Sequence, residues 1–519
     1  MLLPRLVFAS LCAAWCACAL LPISAKDNMF VDYDGNPFVV VGVDYQPGGS
    51  SDYSDSASSD VLSDEDVCLR DAYLLQALGV NTIRVYTVSP WLNHDACMSI
   101  LNAVGIYLLL DINSPLSGES LQRDDPANSY NSDYLGRVFA IADAFMGYQN
   151  LLGFISGNEV FNDATSAAVS PPYIRAVQRD LKNYIKRHAT REIPVGYSSS
   201  DDSTLRVAGW EYLQCADNAT TDSLISRSDF YGLNSYSWCS GQSTFQTSGY
   251  STLQTLFADS AIPLFFSEYG CNAVIPRTFT EVNGGVYISS MLEVFDGGLV
   301  YEYAEEDNNY GLVTINSNGS VSLKQDYVNL QEAYANMTYE TFISSSYINN
   351  VSTPACNSSY IESLDSSFNA SFSLPTFPSD AESMMVNGSG NNNVGKWIAI
   401  NNTQTTYDIY DVNGNLYDNT TITIVSDETI VDSTNTYVSS SASSTVMSST
   451  TAPTSSVAAS TTVVATTGAT DDNSTMTSAS SASSATSTTS TAAAAGVNVN
   501  SAGLTLSFGA TFLGLFLVL

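Results

Sequence analysis

The chain has 519 residues and a formal net charge of −35, from 52 acidic and 17 basic residues. Such a surface repels phosphates, which argues against nucleic acid and against anionic substrates. The only two histidines, His94 and His188, and the lack of a CxxC pair leave a zinc site or a His-based triad without its usual residues, so no metal or cofactor is expected.

Taken in chain order, residues 1–25 read as a secretory signal peptide: Arg5, an apolar core, then small residues, with cleavage expected near Ala25. A transmembrane anchor is the competing reading, but the apolar run is short. From residue 37 a unit recurs, an apolar run that ends in polar residues. It appears at 37–46, 81–88, 105–113, 151–159, 193–201, 228–236, 262–270 and 297–305. Segments of helical pattern lie between most of these runs. Residues 173–189, for example, place Ile174, Val177, Leu181, Tyr184 and Ile185 at helical spacing. Strands alternating with helices give a parallel sheet, and this run of them predicts a (β/α)8 TIM barrel over 26–335. An open doubly wound sheet is the alternative, but no GxGxxG follows any strand.

Residues 336–435 contain alternating stretches such as "KWIAI" and "TTYDIYDV" and the turn "NGN", and predict a small β-rich module. Residues 436–495 are nearly all Ser, Thr and Ala. They cannot bury enough apolar surface to order themselves and read as an O-glycosylated stalk. Residues 496–519 end in an apolar tail with no basic cluster after it, the pattern of a glycosylphosphatidylinositol (GPI) attachment signal; a tail-anchored helix is the alternative. Asn-x-Ser/Thr sequons recur from Asn218 to Asn473, which fits the secretory route.

In a barrel of this kind the chemistry lies at the C-terminal ends of the strands. Those ends supply Tyr45 and Gln46, Arg84 and Tyr86, Asp111 and Asn113, Asn158 and Glu159, Asp201, Asn234 and Tyr236, Glu268 and Tyr269, and Tyr301. Glu159 and Glu268 stand out, because each follows a rigid apolar run. A pair of carboxyl groups in a cleft suits glycosyl transfer, one as acid and one as nucleophile. Structural ion pairs with Arg84 are the bland alternative. The 30 Tyr and 21 Phe suit sugars, whose C–H faces stack on rings.

At these residues the chain resembles the fungal cell-wall β-1,3-glucanosyltransferases of the Gas, Gel and Phr type, glycoside hydrolase family 72. The resemblance rests on "FVVVGVDYQPGG", "NTIRVY", "GNEV", "DFYGLNSYSWC", "PLFFSEYGCN" and "LVYEYAEEDNNYGLV", in order over residues 38–313. It implies Glu159 as general acid/base, Glu268 as nucleophile, and Asn158 as the amide that binds the sugar 2-hydroxyl. It implies Tyr236 beside the nucleophile, and Gln46, Tyr86, Asp201, Arg206 and Tyr301 along the sugar subsites. It also implies three disulfides, Cys68–Cys97, Cys239–Cys271 and Cys215–Cys356, the last tying the segment after the barrel back to it. The cysteine-rich module of some members is not expected, since only Cys356 follows Cys271. The partners implied are β-1,3-glucan donor and acceptor chains, for a monomer held by a GPI lipid at the outer face of the plasma membrane or in the cell wall. A plain retaining β-1,3-glucanase and a non-catalytic wall protein remain open as alternatives.

Overall fold

A computed structural model describes residues 20–217, 221–337, 348 and 351–425. The first part of the leader, the Ser/Thr-rich stretch and the C-terminal apolar tail lie outside these residues. Among the described residues no helix is long and apolar enough to cross a membrane.

Eight parallel strands close into a barrel: β1 (Val40–Asp44), β2 (Thr82–Val85), β3 (Tyr107–Asp111), β4 (Leu151–Asn158), β5 (Val195–Ser200), β6 (Tyr231–Cys239), β7 (Leu264–Cys271) and β8 (Gly297–Val300). Each falls in one of the eight apolar runs. Their residues are buried on both faces, which is why the runs are continuous rather than alternating. The seam closes where β8 meets β1, with Gly297 opposite Val40. Gly297 has φ +83°, and a Cβ there would lie 2.2 Å from the Val40 carbonyl oxygen, so the closure requires glycine.

The helices pack around the strands for reasons visible in their ends. Glu65–Leu78 starts at Asp64, whose side chain accepts from the Asp66 and Val67 amides, and stops at Gly79 with φ +85°. Pro171–His188 has proline in its first turn and Lys186, Arg187 and His188 in its last, and it buries Ile174, Val177, Leu181, Tyr184 and Ile185.

The lower interior of the barrel is filled by Val40, Leu109, Leu152, Ile155, Phe230, Phe265 and Leu299. Beneath it lies a hairpin in which Ser24–Lys26 pairs antiparallel with Met29–Val31. Leu20–Ala25, which the sequence reading assigns to the leader, are therefore part of the fold. Leu20 and Ile23 belong to the barrel floor while Leu21 is exposed, a role that periodicity alone cannot separate from a leader core.

The β-rich module expected over 336–435 is also replaced by something else. Residues 351–425 wrap the outside of the barrel, with short helices at Ser358–Leu364 and Glu382–Asn387. Only Ile409–Tyr410 joins a sheet, beside Val321–Leu323, which in turn pairs with Val313–Ile315. The "KWIAI" stretch is not a strand. Its Lys396 amide donates to Asp95 Oδ1 (2.7 Å) and its Ile398 amide to Ser99 Oγ (3.1 Å), so helix side chains take the bonds a ladder would have used. The wrap ends with the Thr423 amide on Gln76 Oε1 and the Val425 amide on the Ala103 carbonyl. Cys215–Cys356 fastens its start, Cys68–Cys97 joins the helices Glu65–Leu78 and Asp95–Ala103, and Cys239–Cys271 joins the ends of β6 and β7.

Two predictions arise here. Cys68→Ser and Cys97→Ser should each cost about 2–5 kcal/mol, and the double variant little more, because one break already loses the whole cross-link; chemical denaturation of the three variants checks this, and additive losses would mean the two are not partners. Glu281 is fully buried, accepts a hydrogen bond from Ser240 Oγ (2.8 Å), and is pushed up by burial to a pKa of about 7. The folded state therefore holds this proton where the unfolded chain has released it. Stability should fall as pH rises from about 4.5 to 7, by up to about 3 kcal/mol. Glu281→Gln should flatten that slope in denaturation midpoints measured at pH 4.5, 6 and 7.5.

Candidate active site

At the C-terminal mouth of the barrel the centre is Arg84, on β2 and fully buried. Its Nε and Nη2 donate to Asp111 on β3 at 3.0 and 2.9 Å, and its Nη1 donates to Glu268 Oε1 on β7 at 3.0 Å. Nη2 also reaches Asn158 Oδ1 on β4 at 3.1 Å, and the guanidinium lies 4.3 Å from the Tyr86 ring centroid. Burial works against the charge, but Asp111 above all offsets it and the Arg84 pKa lies well above the ordinary arginine value.

Glu268 accepts three bonds: Arg84 Nη1, Tyr86 Oη at 2.9 Å and Tyr236 Oη at 2.6 Å. All three donate to its carboxylate oxygens and hold the group oriented in the cleft. The two phenols stay neutral donors, since burial first and then neighbouring carboxylates, Glu268 among them, raise both pKa values well above the ordinary tyrosine value.

Glu159 follows the last residue of β4 and has φ +48°, rare for a side chain of this size. The turn is held on both sides. The Glu159 amide donates to the Ser198 carbonyl (2.8 Å), and Arg123 Nη2 donates to the Glu159 carbonyl (2.9 Å). Asn234 on β6 donates from Nδ2 to Glu159 Oε1 (2.9 Å) and to Asn158 Oδ1 (3.0 Å). Its amide orientation is set by Ser198 Oγ and Ser267 Oγ, which donate to Asn234 Oδ1 at 3.0 and 2.7 Å. Burial, and next the charge on Glu268, raise the Glu159 pKa; the Asn234 bond and the two arginines pull against this without reversing it. One carboxyl is thus biased to keep its proton beside another held by three donors. This arrangement can protonate a leaving group and attack the carbon behind it.

The other expected site residues divide. Tyr86 and Tyr236 bond to Glu268, and Asn158 lies between the two carboxyl groups as the acceptor shared by Arg84 and Asn234. Tyr301 joins an aromatic rim: its ring lies 6.4 Å from Tyr86, 6.1 Å from Tyr236 and 5.3 Å from Tyr310. Asp201 forms an ion pair with Arg206 and accepts from Ser235 Oγ (2.6 Å). Neither of that pair bonds to Glu159 or Glu268. Gln46 is buried, and its Oε1 accepts from the Tyr86 and Thr87 amides at 3.1 Å each. Its side chain braces the loop that carries Tyr86 rather than standing open in the cleft. Arg84, Asp111 and Asn234 are strand-end residues that the sequence reading left outside its site set, and Tyr310 and Arg123 sit on loops with no strand signal at all.

Comparison with known proteins gives a single direction. Residues 13–338 match the family model described as glucanosyltransferase. The probable 1,3-beta-glucanosyltransferase GAS3 of Saccharomyces cerevisiae is 49% identical over 424 residues, covering 79% of this chain and 80% of that one. The 1,3-beta-glucanosyltransferase gel2 of Aspergillus fumigatus is 48% identical over 411 residues, covering 79% of this chain and 84% of that one. A solved structure of Saccharomyces cerevisiae Gas2p, a Glu-to-Gln mutant in complex with laminaritetraose and laminaripentaose, is 38% identical with a TM-score of 0.60, over 70% of this chain and 76% of that one. The chain belongs to the glucanosyltransferase family, glycoside hydrolase family 72.

Proposed function

We propose that the protein is a retaining β-1,3-glucanosyltransferase that cleaves an internal linkage of one glucan and joins the new end to another chain. The observation that carries this reading is the continuous hydrogen-bonded path from Glu159 through Asn234, Asn158 and Arg84 to Glu268. It supports two carboxyl groups in unlike surroundings held across one cleft, in a family whose named relatives are glucanosyltransferases.

In the first step the Glu268 carboxylate attacks the anomeric carbon. The bond to the bridging oxygen breaks, Glu159 gives that oxygen its proton, and the fragment it belongs to departs. The glycosyl ester on Glu268 carries no charge. Glu159, now a carboxylate, loses the neighbour that helped raise its pKa and can act as base. A hydroxyl of the acceptor glucan then attacks the same carbon. Its proton goes to Glu159, the ester bond breaks, and a new β linkage stands where the old one was. Asn158 is placed to bind the 2-hydroxyl beside the reacting carbon, and Tyr86, Tyr236, Tyr301 and Tyr310 offer rings and phenols to the sugars. Asp201 and Arg206 line a more distant subsite.

Sequence features outside the described residues support a secreted location. The leader, the Ser/Thr-rich stretch and the apolar tail together suit a head held by a GPI lipid at the outer face of the plasma membrane. No cofactor enters the chemistry, and the catalytic unit acts as a monomer on donor and acceptor glucans.

Incubation with a reduced laminari-oligosaccharide tests the central reading: products longer than the starting oligosaccharide are expected, and shorter products alone would make the protein a glucanase. Glu159→Gln should abolish elongation yet still form a covalent adduct with an activated fluoro-glucoside, whose leaving group needs no proton. Glu268→Gln should form none, and an adduct on it by mass spectrometry would reverse the two roles. Asn234→Ala removes a bond that favours the Glu159 carboxylate, so the acid should keep its proton to higher pH. The alkaline limb of kcat/KM should move up by about half a unit to one unit, with activity down about ten-fold; an unmoved limb would separate Asn234 from the acid.

A further inference from the structure

We infer that the leader is removed between Ala19 and Leu20, and that the α-amino group released there is a seated part of the barrel floor. Leu20 and Ile23 are only 5% and 2% exposed and pack with Phe38, Val40, Tyr107 and Leu109. The Leu20 nitrogen lies 2.7 Å from Asn102 Oδ1, as a donor to it. Tyr107 Oη donates to the Leu21 carbonyl at 2.7 Å, and Ser24, Ala25 and Lys26 pair with Val31, Phe30 and Met29. Phe30 is fixed in turn by its amide on Asp296 Oδ2 (2.7 Å). A cut after Ala25 would strip the hairpin of all but Lys26 and remove two apolar side chains from the core.

Cysteine parity bounds the cut from the other side. Cys68, Cys97, Cys215, Cys239, Cys271 and Cys356 are all in disulfides. A mature chain that kept Cys18 alone would carry an odd thiol through an oxidising compartment, and one that kept Cys16 as well would carry two cysteines with no partner among the bonded six. The cut must therefore fall after Cys18 and before Leu20. Of the two bonds left, Ala19–Leu20 is preceded by Ala17-Cys18-Ala19, the small-x-small pattern that leader-cleaving endopeptidases accept. Hydrolysis places the hydroxyl of water on the Ala19 carbonyl carbon and a hydrogen on the Leu20 nitrogen. With an ordinary α-amino pKa of about 7.7–8.0, the new amine is mostly protonated below neutral pH and makes a charge-assisted bond to Asn102.

The inference rests on the secretory route proposed above, and one measurement separates the two. The full chain, expressed with its own leader in a fungal secretory host, is purified and its N-terminal peptide sequenced by mass spectrometry. A start at Leu20-Leu21-Pro22-Ile23 is expected. A processed chain that starts elsewhere, Lys26 included, overturns the boundary and leaves the route intact; a chain that retains Met1 overturns both. The seat has its own readout. Acylation of the α-amine by an N-hydroxysuccinimide ester at pH 7 should be at least about ten-fold slower in the folded protein than in urea, as expected of a buried, hydrogen-bonded donor. Equal rates would place the terminus in solvent and overturn the seat.

Discussion

Arg84 brings a positive charge into the interior of the barrel, and the positions of Asp111, Asn158 and Glu268 follow from satisfying it. The guanidinium planes against Asp111, reaches Glu268 with its remaining arm and touches Asn158 on the way. Charges taken out of water are tolerated only when their partners are complete, and removing one partner of such a buried set typically costs about 3–5 kcal/mol. The groups that perform chemistry are therefore also the groups that make the cation affordable. Because they arrive on β2, β3, β4 and β7, the spacing between them is set by closure of the barrel. The glycine seam between β8 and β1 thus bears on the site even though it touches none of these residues.

The two carboxyl groups sit in unlike surroundings although both end a barrel strand. Glu268 is met by three donors, which fix its orientation. Glu159 is met by one amide and by the field of Glu268, in a place where burial dominates. The left-handed turn at Glu159 is what aims its side chain at Asn234 instead of letting β4 run on, and two backbone bonds keep it there. Local strain of this kind, about 1–3 kcal/mol per residue, persists only where the surroundings over-determine it.

The barrel and its two principal carboxyl groups were legible because both follow from rules that act along the chain. An apolar run buried on two faces reads the same in any parallel sheet, and a carboxylate at its end has few structural reasons to be there. Arg84 was visible as a strand-end residue, but its three partners lie on other strands, and a single sequence carries no record of which charges face each other across a barrel. Asn234 was lost for the same reason: its meaning depends on Ser198 and Ser267, which reach it from β5 and β7. Gln46 fell on the right rim, with its amide turned to backbone instead of solvent. The two ends pose one and the same difficulty. Leu20–Ile23 and "KWIAI" are short apolar segments, and whether such a segment is a leader, a strand or a belt is decided by the surface it meets.

The last bonds of the wrap, from Thr423 and Val425 to Gln76 and Ala103, lie at the ends of the two helices that lead into β2 and β3. Those helix ends mark the pole opposite the catalytic mouth. Val425, the last described residue, is therefore fixed at the base, and the belt between it and the Cys215–Cys356 clasp lies away from the rim. The described residues have a built-in polarity: the working face and Val425 lie at opposite poles of the barrel, so the wrap closes without crowding the cleft.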